Sequence, residues 1–197
     1  CTVATLEAAV AKAADQYHPG PDVIWVTRDV PDGYYLVPRA LEIGGQDLTI
    51  VGGFDDCLDA TPSGYTDISG FGNAADPVIR VRGGGVIRLE GLLLTLGDAN
   101  DGEGSGVDYF GNGQLQLVNS VVEYSHSPGN GNGGGIYFRS NGSADLSLDR
   151  SRGSGNSAND GGGLAFVGSG RLFINDTVIA DNSARSSGGG IYVDSPS

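Results

Sequence analysis

The stretch Gly161-Gly162-Gly163-Leu164 decides the fold, because Gly133-Gly134-Gly135-Ile136 stands 28 residues before it and Gly188-Gly189-Gly190-Ile191 27 residues after it. A second series runs in step. Strand starts of the form apolar-x-apolar begin at Ile24, Leu48, Ile87, Leu115, Leu146 and Leu172, at separations of 24, 39, 28, 31 and 26. Short alternating runs of this kind read as strands, and a shared period of roughly 20–50 residues marks a solenoid. A meander or sandwich has glycine turns too, but need not restart every repeat with the same pattern. The expectation is an all-β protein: a right-handed parallel β-helix of about six coils with a short N-terminal capping helix. Successive coils stack at ~4.8 Å, so equivalent residues form columns. Read down those columns, Asp145 falls beside Arg171, and Arg150 beside Asp176.

Composition agrees. Glycine supplies 35 of 197 residues, well above the usual ~7%, yet it clumps rather than recurring at every third position, which excludes collagen. With 39% hydrophobic residues the chain has enough apolar surface to fold. The net charge of −13, with Lys12 the sole lysine, argues against nucleic acid as a partner. No run of ~18 apolar residues is present, so this segment inserts into no membrane. Residues 1–197 read as one domain. Residues 1–20 form the helical cap, with Thr5 as N-cap, Glu7 in the first turn, and Leu6, Val10 and Ala13 at helical spacing. Residues 21–197 form the coils, with a loop insertion around 55–77 inside the one long separation. Without an initiator Met or signal peptide, the chain reads as starting inside a precursor. A new coil opens at Gly188–Val193 with no cap after it, which predicts docking of this end on another copy, a homodimer, or on later coils.

Cys1 and Cys57 have no metal-type spacing. A disulfide between them is the simplest pairing and implies an oxidising compartment; a lipidated Cys1 and free thiols are the alternatives.

Few residues point to chemistry. Arg80, Arg82 and Arg88 form the best basic cluster; Arg80 and Arg82 share one strand face, opposite Ile79 and Val81, and an anionic glycan could use that stripe. The alternative is pairing with nearby acids such as Glu90. The loop Gly97–Glu103 offers Asp98, Asp101 and Glu103 as calcium ligands, although it lacks EF-hand spacing, and no other cofactor is implied. His18 and His126 have no carboxylate partner at fixed spacing. Gly104-Ser105-Gly106 and Gly153-Ser154-Gly155 sit in turns rather than in a strand-to-helix elbow, so neither serine reads as a nucleophile. The outward column Thr49, Arg88, Gln116, Ser147, Phe173 is too mixed for ice. Asn141 and Asn175 head formal glycosylation sequons.

At the three glycine triplets, with Asn156-Ser157-Ala158 and Asn182-Ser183-Ala184 upstream of the second and third, the sequence resembles the repeats of polymorphic outer-membrane proteins and related secreted bacterial β-helices. That covers roughly the last third of the chain. The front resembles their capping region: a cysteine, Thr5–Val10, Leu48–Phe54, then a second cysteine. The companion motif Phe-x-x-Asn departs here, since Phe173 is followed by Asp176 and Asn119 is preceded by Gln116. The resemblance implies a pectin-lyase-like fold at the bacterial surface, outside the cell or in the periplasm. Together these readings point to a non-catalytic adhesion or structural passenger that contacts a glycan or a host or cell-surface protein. The alternative is a polysaccharide-active lyase or hydrolase.

Overall fold

The computed structural model describes residues 5–14, 20–28, 30, 32–72, 75–99 and 104–195. One helix, α1 (Leu6–Ala13), precedes six coils of strand. Thr5 caps it, its hydroxyl accepting the Ala8 amide at 3.1 Å, and Leu6 and Val10 are buried. The helix packs on the first coil, made of β1 (Asp22–Thr27), β2 (Tyr35–Leu36) and β3 (Leu41–Ile43). The second coil is β4 (Leu48–Phe54), β5 (Thr66–Ser69) and β6 (Ile79–Gly83); the third is β7 (Val86–Glu90), β8 (Leu92–Thr95) and β9 (Val107–Gly111). The fourth holds β10 (Gln114–Val118), β11 (Val121–Glu123) and the start of β12 (Ile136–Asp149). The end of β12 continues into the fifth, with β13 (Arg152–Ser154), β14 (Ser157–Asp160) and the start of β15 (Leu164–Asn175). The end of β15, β16 (Val178–Ala180), β17 (Ser183–Ser187) and β18 (Ile191–Asp194) make the sixth.

All pairings between these strands are parallel, coil on coil. They build three faces, β1-β4-β7-β10-β12-β15, then β2-β5-β8-β11-β13-β16, then β3-β6-β9-β12-β15-β18, and a separate two-stranded pair, β14-β17. Five of the six expected strand starts stand in one column, Leu48–Ile87–Leu115–Leu146–Leu172. The first does not: Ile24 pairs with Ile50, and Asp22 stands beside Leu48. A two-residue shift keeps every side chain on the same face, so alternation alone cannot detect it. The stretch 55–77 is not a single loop either, because β5 within it pairs with β2 and β8.

Inward positions form apolar columns through the coils, ending at Ile174 and Val193, which are 41% and 54% exposed at the sixth coil. Corners repeat as faithfully. Asn119, Arg150 and Asp176 occupy one left-handed corner (φ 44°, 48° and 46°), and the first glycines of the triplets, Gly133, Gly161 and Gly188, occupy another (φ 66°, 64° and 64°). Side chains of one coil satisfy corner amides of the coil before. The Ser151 hydroxyl accepts the Ser120 amide at 3.2 Å and the Thr177 hydroxyl the Ser151 amide at 3.1 Å. Asn156 Oδ1 accepts the Ser125 amide at 3.0 Å, and Asn182 Oδ1 the Asn156 amide at 2.9 Å. The asparagines of the Asn-Ser-Ala motif are therefore internal staples, since an unpaired buried amide is costly.

Candidate functional site

Outward side chains of neighbouring coils mostly bond one another. Arg80 pairs with Glu42 and, at 2.9 Å, with Asp76. Arg82 pairs with Asp108, whose carboxylate is fully buried and also faces Arg139 at 3.7 Å. Arg139 lies over the rings of Phe110 and Tyr137, 5.2 and 4.9 Å from their centroids. Arg88, on β7 beyond the corner that follows β6, binds Glu90 at 2.8 Å and reaches Gln116. The three arginines of the sequence stripe thus each hold an acid. The column pair Asp145 and Arg171 meets at 2.6 Å, and the guanidinium there holds the Asp145 carboxyl below its usual range. Arg150 instead takes its own neighbour Asp149 at 2.8 Å, not Asp176.

Asp101, Glu103, Cys1 and His18 lie outside the described residues. Among the described residues no group of three or more His, Cys, Asp or Glu could hold a metal ion. Asp98 stands in a column with His126 and Ser157, on three successive coils. His126 Nδ1 and Ser157 Oγ are 2.6 Å apart. This Ser-His-Asp alignment resembles a hydrolytic site, but nearby amides that could bind an oxyanion are engaged between coils: Ser157 N–H to Ser125 O, Ser127 N–H to Ser157 O, and Asn159 N–H to Gly131 O. These three amides are thus taken up by the coil ladder and not offered to an oxyanion, whose stabilisation usually contributes most to acyl-transfer catalysis.

The second face carries a feature that pattern reading did not find. An open groove of about 380 Å³ is lined by Tyr65, Leu93, Val121, Glu123, Arg150 and Arg152, together with the buried Ser120 and Ser151. Register places Asp67, Leu93, Val121 and Arg152 in one outward column, and Thr95, Glu123 and Ser154 in the next. The Thr95 hydroxyl donates to Asp67 at 3.1 Å. Burial pushes the Asp67 carboxyl above its usual range; the Thr95 bond opposes this, and the charge of Glu123 adds to it. A raised folded-state value means that the fold binds the Asp67 proton more tightly than the unfolded chain does. Its stabilising contribution is complete below the ordinary carboxylate pKa of about 4 and is lost as pH rises through the raised value. Asp67→Asn, which still accepts from Thr95, is therefore expected to match the parent in acid and to gain on it as pH rises towards neutrality. Denaturant titrations across that range read the difference, and a gain that is constant with pH would refute the assignment.

With this geometry in view, the last coil is decisive. Residues 176–194 match the Chlamydia polymorphic membrane protein repeat. The match begins at the left-handed corner residue Asp176 and runs through β16, β17 and β18, so the repeat corresponds to one coil from corner to third face. The chain is a β-helix that carries this repeat, and residues 150–167 occupy the same places one coil earlier. No curated protein and no solved structure matches the chain.

Proposed function

We propose that the chain is a non-catalytic segment of a surface-displayed bacterial passenger that makes adhesive contacts through its outward side chains. The carrying observation is the combination of a self-satisfied ladder with projecting rings. Arg80, Arg82, Arg88 and Arg171 each pair with an acid of the same or a neighbouring coil, while Trp25, Phe71, Phe110, Tyr124 and Phe173, on five different coils, are 40–65% exposed. Large aromatic side chains supply contact area at low entropic cost and dominate many interfaces. The repeat match supports a place at the cell surface, where oxidising conditions would join Cys57 to Cys1.

The test pairs binding with chemistry. The purified chain is expected to bind host cells saturably, to lose much of that binding in the Trp25→Ala/Phe173→Ala double variant, and to release no unsaturated product from anionic polysaccharides. Turnover that disappears in Arg82→Ala would instead establish a lyase. Thiol titration without reductant, giving two free thiols per chain, would overturn the bridge.

A further inference from the structure

We infer that the groove on the second face binds an acidic oligosaccharide, with a sugar carboxylate on Arg152 and Arg150 and a pyranose ring over Leu93 and Val121. The inference rests on the adhesion reading and gives it a ligand and a place. Tyr65, Leu93, Val121 and Arg152 come from four successive coils, so the groove runs along the helix axis for about 14 Å at the usual strand spacing. Along that line it changes from aromatic to aliphatic to cationic.

Arg152 suits a carboxylate. Its Nε donates to Ser154 Oγ at 3.0 Å, which fixes the plane of the guanidinium while its terminal nitrogens have no acceptor among the described residues. A planar fork held in this way binds a carboxylate bidentately, as a lysine could not. Arg150, 63% exposed and steadied by Asp149, lies at the same end. Leu93 and Val121 are outward yet only partly exposed, forming an apolar strip, and Tyr65, 42% exposed, extends it with a ring and a hydroxyl. Glu123 stands beside the strip, its bond from the Ser154 hydroxyl stretched to 3.5 Å, so its oxygens remain open to sugar hydroxyls. An apolar floor with a few convergent polar groups is the usual makeup of a small-ligand site.

A sugar fits better than an acidic peptide for two reasons. The strands beneath, β8, β11 and β13, each pair with neighbours on both sides, leaving no sheet edge for a peptide main chain. Glu123 also repels a run of carboxylates, whereas a sugar acid presents one carboxylate among hydroxyls. The net charge of −13 opposes the approach of any anion, so contact rather than long-range steering must hold the ligand and added salt should change binding little.

Isothermal titration of the full chain with sialyllactose and an aldotriouronic acid, each with one carboxylate, with maltotriose as the neutral sugar and hexaglutamate as the acidic peptide, tests this. The acidic sugars should bind, and maltotriose and hexaglutamate should bind at least about tenfold more weakly. Arg152→Ala should weaken acidic-sugar binding about tenfold or more, the loss of a charge-assisted pair, and Tyr65→Ala should weaken it severalfold. Both side chains are on the surface, so circular dichroism should not change. Equal binding of maltotriose, or equal or tighter binding of hexaglutamate, overturns the inference, as does indifference to Arg152→Ala. No heat with any sugar at about millimolar concentration overturns it too. If cells are still bound while no sugar is, the groove fails and adhesion stands. If sugars bind and cells do not, adhesion alone fails.

Discussion

Gly162→Ala is expected to destabilise the chain by about 3 kcal/mol, while Gly189→Ala, at the same place one coil later, changes stability by less than about 0.5 kcal/mol. The contrast follows from the atoms a methyl group would meet. At Gly162 it would lie 2.1 Å from the Ser183 carbonyl oxygen and 2.6 Å from that of Gly189, both backbone atoms of the next coil. Those atoms cannot yield without breaking the bond from Gly162 N–H to Gly188 O and its neighbours on the ladder. At Gly189 the nearest atom is 3.3 Å away, and the lower entropy of the unfolded alanine chain offsets part of any crowding. Denaturant titration of the two variants beside the parent checks both numbers. Similar losses at the two positions would show that the middle glycine answers to local conformation and not to close stacking. Gly162 has no left-handed φ, so conformation offers no other ground for its replacement to be costly.

Much of the scaffold was legible because a coil repeats its own constraints. Inward apolar columns and glycine corners follow from one period, and the only misplaced strand start, Ile24, moved by two residues, a shift that alternation cannot see. The same period also aligns polar side chains. Asp98, His126 and Ser157 are separated by 28 and 31 residues, the spacings that separate Ile87, Leu115 and Leu146, so their alignment follows from the repeat arithmetic. The groove was hidden for a different reason. Glu123 and Arg152 belong to three-residue strands, Val-Val-Glu and Arg-Gly-Ser, too short to alternate visibly, and Tyr65 precedes β5 inside a stretch that reads as loop. In the arginine stripe the pair Arg88–Glu90 was open to sequence reading because it is local, but Arg80–Glu42 and Arg82–Asp108 depend on coil register, which sets Arg80 between Glu42 and Asp108. Pairing of that kind appears only once the columns are set.

Phe138→Ala should cost about 3–5 kcal/mol, the range for emptying a packed aromatic site, whereas Phe173→Ala should leave stability within about 0.5 kcal/mol and lower cell binding. Phe138 is the middle ring of three on the inner side of the third face. It stacks on Tyr109 at 4.3 Å and 5° and on Phe166 at 5.1 Å and 8°, and all three rings are buried. Removing it separates its neighbours and opens a void that the backbone cannot close, because β12 is paired with β9 on one side and β15 on the other. Tyr109 is bound further by its hydroxyl, which accepts the Gly113 amide at 2.8 Å across the next corner, so the loss should spread to the turn between β9 and β10. Phe138→Leu, which refills part of the space, should recover about half of the loss. Phe173 stands on the outer side of the first face, beside Ser147 of the coil before. It follows Leu172 on an inward–outward strand, stands 47% exposed, and has the Arg171 guanidinium over its ring, 5.4 Å from the centroid. If Phe173→Ala proved as damaging as Phe138→Ala, its ring would have to be covered by something in the working assembly, and the outward column would be an interface in the fold of the protein and not a surface offered to a partner.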